Sequence, residues 1–558
     1  MNLSRINVPF SILVICLFLI SPEIIQADTY RLKVDIDPNK NRLIGQMHLK
    51  YKNSDIASLS EVRMRLDLNL TRPNSMKIVS VHDISGKELR WCYMPFKFAK
   101  SKADNAQVSI TLPEGLRHDD EIELTISFQV KGKFIGKKIY LPDDPFHSFD
   151  AWYPKAMTKK GTKWSINDDR PSTYDVTVEV PLSYTIATSG KILEENTTND
   201  APKKLKILAK NIRGFSIYGS TSWKKYRRFV KKKEFNVFID DSEKKWVEPI
   251  LDAAEDAVSF FSKKYGKLPT SQLSIICFSD KTGQAHGSFA ACNIIGIWLS
   301  KNLKSQYQWL IAHEVAHQYF GSMVGSYRDE IAWAPIGLGM IIDQHYARDR
   351  GLDSSTVLKT IRWYYLEAHR RGYNTSLSQP IQSLMVSKPP WSYGWNMALT
   401  HSKGYAVCSM LEDLLGKEKF HQVIKKLLAE KAGSLLSGTD LLEYCKLSYG
   451  ESLDWFISDW INGSSHIDYV VSSVEKIDRG WLITIDSLGS ARFPVTVEIE
   501  TKKGNKLLKR VEKEKKKNKI FLSNKHEPKT VTIDPKGLYP DINRANNSWS
   551  KKNNSYDE

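Results

Sequence analysis

The stretch HEVAHQYFG, residues 313 to 321, decides how the rest of this sequence is interpreted. His313 and His317 are four residues apart, so a helix places both imidazoles on one face, where they can bind a divalent metal. Glu314, next to the first histidine, is placed to take a proton from a metal-bound water. Apolar residues on both sides would bury such a helix. The alternative is that two histidines simply pack in a core.

A second segment follows this helix at a fixed distance and supports the first interpretation. HEVAHQYFG followed by Trp333-x-x-x-Gly337 resembles the gluzincin zinc aminopeptidases of peptidase family M1, which include the alanyl aminopeptidases and the leukotriene hydrolase. The sequence looks like a divergent, short, three-domain member. The resemblance implies zinc as the cofactor, His313 and His317 as zinc ligands, Glu314 as the catalytic base and a peptide or protein as substrate.

Three positions depart from the family's pattern. Ile336 stands where the resemblance implies the third zinc ligand, a glutamate, and an isoleucine side chain has no atom that binds a metal. Ala290 stands where the family has the glutamate that holds the substrate's free α-amino group. His401 stands where the family has the tyrosine that donates a hydrogen bond to the oxyanion, and a histidine could donate this bond or act as a replacement ligand. The matching substrate-binding run is Gly287, Ser288, Phe289 and Ala290.

These departures leave the activity open between three hypotheses. The first is an exported zinc metallopeptidase with altered specificity. The second is a catalytically inactive pseudopeptidase that serves as a peptide- or cell-surface-binding module, with zinc bound weakly or not at all. The third is a basic scaffold of the cell envelope. Ordinary aminopeptidase activity is doubtful in all three, because the changes at Ile336, Ala290 and His401 all weaken it.

The beginning of the chain and its charge bear on location and partners. Residues 1–27 have Arg5, an apolar run and Ala27 before Asp28, which predicts a secretory signal peptide and a secreted, periplasmic or cell-surface protein. No later segment is apolar enough for a transmembrane anchor.

The net charge is +18, with lysine-rich runs at 224–235 and 502–519. Such runs are solvated faces or contacts with an anionic cell surface, and the absence of a binding motif argues against nucleic acid.

The period of the apolar residues divides the chain into blocks. Residues 28–235 alternate with period two, residues 236–466 follow a helical period, and residues 467–545 return to period two, while residues 546–558 are predicted to be a flexible tail. A chain of 558 residues is too long for one core, so an α+β multidomain fold is expected. The resemblance implies an N-terminal antiparallel β-sandwich-like domain, a mostly helical thermolysin-like domain and a C-terminal immunoglobulin-like β domain.

Overall fold

The computed structural model describes residues 28–98, 101–131, 138–139, 151–165, 170–198, 201–279, 288–299, 306–327, 330–379 and 397–551. The predicted signal peptide lies outside these ranges. Within them the chain is a mixed α/β, multidomain structure, as expected from its length and its change of period. Strands predominate before and after a part that contains most of the helices. No helix in these ranges is both long and apolar enough to cross a membrane.

The first part consists almost entirely of strands. In chain order they are β1 Thr29–Asp37, β2 Arg42–Lys52, β3 Leu59–Arg65, β4 Met76–Asp83, β5 Trp91–Phe98, β6 Ser101–Leu116, β7 Glu121–Lys131, β8 Lys138–Ile139, β9 Lys155–Ala156, β10 Lys159–Lys160, β11 Lys163–Trp164, β12 Ser172–Val180, β13 Thr185–Thr188, β14 Lys191–Asn196, β15 Lys203–Ile212 and β16 Ile217–Ser220. A short helix, α1, spans Leu68–Thr71, and a 3₁₀ turn spans Pro38–Lys40.

Two large sheets share one hydrophobic core in this part. Their strand orders are β14-β15-β12-β1-β2-β7-β4 and β5-β6-β3-β9. The alternation has the expected result in β12, where Tyr174, Val176 and Val178 are buried and the residues between them are half-buried. The sheet is not purely antiparallel as predicted, because β1 pairs with β12 in parallel. The many strands between them in the chain supply the long connection that a parallel pair needs.

The middle part combines a five-stranded sheet and a two-stranded sheet with most of the helices. Its elements are β17 Trp223–Val230, β18 Lys233–Asp240, α2 Val247–Tyr265, β19 Gln272–Ser279, β20 Ser288–Ala291, β21 Ile294–Leu299, α3 Tyr307–Tyr319, β22 Gly325–Ser326, α4 Trp333–Asp349, α5 Ser355–Arg370, α6 Gly404–Leu415, α7 Lys417–Glu430, β23 Leu435–Leu436, α8 Gly438–Tyr449 and α9 Asp454–Phe456. A 3₁₀ turn spans Asp241–Trp246, and π-helical turns span Met397–Lys403 and Ile457–Asn462.

The five-stranded sheet of the middle part has the order β17-β18-β19-β21-β20, and the two-stranded sheet is β22-β23. The boundary expected between residues 235 and 236 falls inside β18, whose neighbour β19 comes after α2 in the chain. The change of period marks the beginning of the helices and not the beginning of this sheet. Among the described strands, β20 pairs with β21 alone and stands at the edge of this sheet.

Helices α4 and α6 meet at two glycines, which brings the π-helical turn before α6 close to α4. A Cβ atom added to Gly337 would lie 2.6 Å from the Gly404 carbonyl oxygen and 2.8 Å from the Cys408 sulfur. A Cβ added to Gly404 would lie 2.7 Å from the Trp333 carbonyl oxygen. Only glycine permits this backbone approach.

The last part is a pair of small sheets. Its strands are β24 Tyr469–Ile477, β25 Gly480–Ser487, β26 Val495–Thr501, β27 Lys506–Val511, β28 Lys517–Ser523, β29 Pro528–Ile533 and β30 Ser548–Ser550, with a 3₁₀ turn at Arg544–Asn546. The orders are β24-β25-β28 and β27-β26-β29-β30. Their core is continuous with that of the helices, since Phe456 and Phe493 belong to one cluster and their rings lie 6.3 Å apart.

Two further expectations from the sequence concern the C-terminal tail and the lysine-rich runs. β30 pairs with β29, so the beginning of the segment expected to be a flexible tail forms part of a sheet. The lysine-rich runs lie in hairpins: residues 224–235 in β17 and β18, and residues 502–519 around β27 and the beginning of β28. Most side chains of β27 are exposed, as a solvated face requires.

Candidate metal centre

His313 and His317 face each other on α3. Their Nε2 atoms lie 3.2 Å apart, and the two rings are perpendicular, with centroids 4.6 Å apart. Two nitrogen ligands that are each bound about 2.0–2.1 Å from a tetrahedral zinc are about 3.3 Å apart. The pair therefore has the separation of two corners of a metal site.

The outer nitrogen of each ring is held by an acceptor. His313 Nδ1 lies 2.6 Å from Asp343 Oδ2, and His317 Nδ1 lies 3.3 Å from the Phe320 carbonyl oxygen. Because a carbonyl and a carboxylate accept hydrogen bonds, we assign the hydrogen of each ring to Nδ1. The Nε2 lone pairs are then directed into a common space, which is how metal-binding histidines are oriented by their outer partners.

Asp343 is the partner that sequence reasoning missed. Its side chain is 0% exposed, and its Oδ1 accepts hydrogen bonds from the Trp309 indole at 3.4 Å and from the Gln344 amide at 2.9 Å. Asp343 lies seven positions after Ile336, which is about two helical turns along α4. The same two turns keep it on the same face of α4, from which it reaches the Nδ1 side of His313.

The electrostatics of the two histidines differ. Burial lowers the pKa of His313, but the hydrogen bond and charge of Asp343 and the charge of Glu314 outweigh it and raise this pKa. Burial, followed by the charges of His313 and His401, lowers the pKa of His317 to about 3. His317 is therefore a neutral acceptor. A proton that the two Nε2 atoms share would compete with a metal ion for the same lone pairs.

Among the residues that the structure describes, the other carboxylates do not complete a three-ligand site. Glu314 is buried, at 3% exposure, and its charge acts on His313, as its position beside that histidine implies. Ile336 lies in the first turn of α4, and Glu330 before it is exposed. Within the described ranges, no three His, Cys, Asp or Glu side chains are grouped to hold a metal. The residues present thus fit zinc in part, with two imidazole ligands and their outer partners.

His401 lies near the pair on the π-helical turn Met397–Lys403. Its ring Nδ1 is 2.8 Å from Thr400 Oγ1. Burial, followed by the charge of His313, lowers the pKa of His401 to about 3, so the ring is neutral. A neutral imidazole can still donate one hydrogen bond, which is what the position of the family's tyrosine would require.

The predicted substrate-binding run lies at the sheet edge beside α3. Ser288, Phe289 and Ala290 form β20, and Gly287 lies outside the described residues. An edge strand leaves backbone N–H and C=O groups free to pair with an added extended peptide.

Gln318, the residue after the second histidine, connects this strand to the helix. Its amide donates to the Ala291 carbonyl at 2.9 Å and the Ile294 carbonyl at 3.3 Å, and it accepts from the Asn293 N–H at 2.9 Å. The sequence contained no pattern that assigned this role to Gln318. The hairpin β20–β21 is thus held in a fixed position relative to His313 and His317.

Comparison with known proteins shows that part of this chain is similar to peptidase family M1 and to a probable aminopeptidase. Residues 298–460 match the model of the peptidase family M1 domain. The chain is 24% identical over 269 residues to "Probable aminopeptidase 1" of Sulfurisphaera tokodaii, which covers 45% of this chain and 32% of that protein. It is 25% identical over 204 residues to "Tricorn protease-interacting factor F2" of Thermoplasma volcanium, which covers 35% of this chain and 25% of that protein. The matches thus span a third or less of these relatives' own lengths.

Proposed function

We propose that this chain, whose residues 298–460 match the peptidase family M1 domain, binds extended peptides along β20 and has lost ordinary aminopeptidase turnover. One observation carries the proposal. The carboxylate that α4 brings to the histidines, Asp343, contacts the Nδ1 side of His313, while Ile336 occupies the position of the third ligand.

The metal affinity expected of such a site follows from its ligand count. A structural zinc site with four protein ligands contributes on the order of 10–16 kcal/mol, so the loss of one anionic ligand costs a few kcal/mol, or about a hundredfold or more in affinity. A bound metal would supply Lewis-acid activation of water. His313 and His317 would hold it, and Glu314 would accept the proton of that water.

The peptide-binding half of the proposal rests on the edge strand. β20 offers backbone pairing that does not depend on the peptide's sequence, and Gln318 fixes the strand beside α3. Ala290 provides no carboxylate for an incoming α-ammonium group, so peptides with free and with acetylated N-termini are expected to bind equally well.

A second candidate function is a slow metallopeptidase with altered specificity. The Nε2 separation of 3.2 Å and the buried Asp343 partner favour it, because core packing alone requires neither. His401 would then act as the donor to the oxyanion. In this case hydrolysis requires Glu314 and is not directed at a free N-terminus.

The proposal also includes a place outside the cytoplasm. The signal-peptide composition of residues 1–27 supports a secreted, periplasmic or cell-surface protein. The net charge of +18 and the lysine-rich hairpins support contact with an anionic surface. Binding to vesicles with and without anionic lipid, at low and high salt, tests this contact. Equal binding to both kinds of vesicle would contradict the proposed contact with an anionic surface.

Metal analysis of the wild type and of two variants at one position tests the main proposal. Ile336→Glu restores a carboxylate, and Ile336→Gln is the matched variant of similar shape without charge. We expect substoichiometric zinc in the wild type and in Ile336→Gln, and close to one zinc per chain in Ile336→Glu. Peptide binding, measured separately by calorimetry, is expected in all three.

Hydrolysis of amino-acyl and internally quenched peptide substrates distinguishes the two candidates. Wild-type zinc at one per chain, together with hydrolysis that Glu314→Gln abolishes, would establish the second candidate and remove the first. If neither free nor acetylated peptides bind, the peptide-binding proposal is wrong whatever the metal content.

A further inference from the structure

A pocket of about 340 Å³ lies between α5, the beginning of α6 and the segment 535–544 near β29. Its walls are largely apolar, with contributions from leucine, isoleucine, proline and tyrosine side chains. Four cationic residues also line it: Lys359, Arg362, Lys536 and Arg544. No aspartate or glutamate belongs to the lining in the part of the chain that the structure describes. None of His313, Glu314 and His317 belongs to it either.

Arg362 differs from two other arginines of this region in its partner. Arg544 forms an ion pair with Asp534 at 2.6 Å, and Arg510 forms one with Asp413 at 2.7 Å. The half-buried guanidinium of Arg362 donates to the Gly537 carbonyl, and within the described ranges no carboxylate forms an ion pair with it. Arginine remains charged in proteins, so this cation stands among apolar walls without a direct counterion.

The surrounding charges support this description of Arg362. Burial, followed by the charge of Arg544, lowers the pKa of Arg362, while the more distant carboxylates of Asp534 and Asp541 act in the opposite direction. Asp534 is engaged by Arg544, and Asp541 accepts the backbone N–H groups of Tyr469 and Asn543. Neither carboxylate neutralises Arg362 directly.

Two tyrosines add neutral polar groups to the same pocket. The Tyr365 hydroxyl is buried without a hydrogen-bond partner of normal geometry in the described residues, although Asn374 lies close enough to affect its pKa. Burial raises the pKa of Tyr365 and of Tyr405, so both hydroxyls remain protonated and can donate hydrogen bonds. The pocket thus offers an unpaired guanidinium and two hydroxyl donors, surrounded by apolar walls.

We propose that this pocket is a binding site for a small organic anion, consisting of an apolar body that carries one carboxylate or phosphate group. The planar guanidinium of Arg362 matches either group with two parallel hydrogen bonds. The apolar walls would bury the body, as in ligand pockets of this size. The lysines at positions 359 and 536 add attraction for an anion and repel a cation. This inference does not rest on the proposed function.

Binding would connect two parts of the chain. Arg362 and Tyr365 lie on α5, whereas Lys536 and Gly537 lie in the segment after β29. A ligand held by both sides binds only the assembled structure, so it raises the unfolding temperature, and the rise grows with the ratio of the free ligand concentration to Kd. Thermal shift is therefore a direct readout, alongside calorimetry.

The experiment uses the full-length protein with four six-carbon probes: hexanoate, hexyl phosphate, hexylamine and hexanol. We expect hexanoate or hexyl phosphate to bind and to raise the unfolding temperature, and hexylamine and hexanol to have no effect. The relative affinities of the two anions identify carboxylate or phosphate as the preferred group. Arg362→Gln is expected to weaken anion binding by about ten- to hundredfold, as for the loss of a charged hydrogen-bond donor.

Two further variants separate binding from folding. Arg370→Gln, on the same helix, removes an arginine that is 77% exposed and paired with Glu367, and it is expected to leave anion binding unchanged. Leu358→Trp fills the pocket without altering Arg362, and it is expected to abolish binding. The proposal is wrong if the anions act no differently from hexanol, or if they bind Leu358→Trp as tightly as the wild type. The second criterion holds even if Arg362→Gln fails to fold.

Discussion

Oδ2 of Asp343 lies 2.6 Å from Nδ1 of His313, although the two residues are 30 positions apart and on different helices. This contact decides which ring nitrogen faces His317. It also engages the carboxylate of α4 on the side of the ring away from the shared space. Helix α4 therefore still orients a candidate ligand, while its first turn, at Ile336, does not supply one.

Removing the charge of Asp343 is expected to weaken metal binding. In Asp343→Asn the amide is a poorer acceptor for the His313 Nδ1–H, and loss of such an outer partner typically costs about 10- to 100-fold in metal affinity. Competition with a chromogenic zinc chelator measures this. Asp349→Asn, at the exposed end of α4, is the control and should match the wild type. Equal affinities in all three proteins would contradict the assigned role of Asp343.

The close approach of α4 and α6 predicts that alanine substitutions at two glycines of α4 change the free energy of unfolding differently. Gly337→Ala would place a methyl group 2.6 Å from the Gly404 carbonyl oxygen, and overpacking of this kind lowers the free energy of unfolding by about 1–3 kcal/mol. Gly339→Ala would meet His317 ring atoms at 3.4 Å, an ordinary contact distance. The higher helix propensity of alanine, worth up to about 1 kcal/mol, should then keep or raise stability. Urea unfolding of both variants tests this, and equal losses would argue against the glycine contact.

Some of the fold and site follows directly from local patterns in the sequence. The alternation of residues 174–180 predicts which side chains of β12 are buried, because strand geometry alone determines it. The spacing of His313 and His317 predicts that their rings meet, because helix geometry alone determines that as well. The mixed, multidomain class follows from the change of period and the length of the chain.

Other features depend on contacts that no local pattern contains. The parallel pairing of β1 with β12 depends on where distant strands come together, and a period of two is the same for parallel and antiparallel neighbours. The roles of Asp343 and Gln318 depend on how α4 and the hairpin β20–β21 pack against α3. The position of Asp343 in the sequence, seven residues after Ile336, gives no information about its contact with His313 on another helix.

The side chain of Gln318 is expected to control the order of β20 and β21. It is 1% exposed and forms hydrogen bonds with three backbone groups of the hairpin. Gln318→Ala leaves these groups without partners, at a cost of about 2–3 kcal/mol. Hydrogen exchange of residues 288–299 should accelerate more than that of β19.

Gln422→Ala is the matched control for this prediction, because Gln422 is an exposed glutamine whose amide donates a hydrogen bond to Glu418 on its own helix. It should change neither stability nor exchange in the hairpin. Unchanged exchange of residues 288–299 in Gln318→Ala would show that the hairpin does not need this side chain, and it would weaken the case for β20 as a fixed peptide-binding edge.

The free energy of unfolding is expected to depend on pH through Asp256, which connects α2 to the end of α4. Its two oxygens each accept a hydrogen bond of 2.8 Å from Arg350, and these bonds, opposed by burial and assisted by Tyr346, lower the pKa of Asp256. Because the pKa of Asp256 is lower in the folded state than in the unfolded state, where it is about 3.9, the ionised carboxylate stabilises the protein at pH values above about 3.9. This stabilisation is lost as the pH falls through the folded-state pKa. Arg350 does not titrate in this range, so the change belongs to Asp256.

Asp256→Asn should therefore be less stable than the wild type at pH 7, by about 1 kcal/mol after allowance for its partial exposure. The difference should shrink as the pH falls below the unfolded value of about 3.9 and through the lowered folded value, because the wild-type carboxylate becomes protonated over this range. Urea unfolding at several pH values measures it. Glu255→Gln is the control, since Arg228 keeps Glu248 and Asp252 as partners when Glu255 is changed. A difference between Asp256→Asn and the wild type that does not depend on pH would show that the hydrogen-bond geometry, and not the charge, provides the stabilisation.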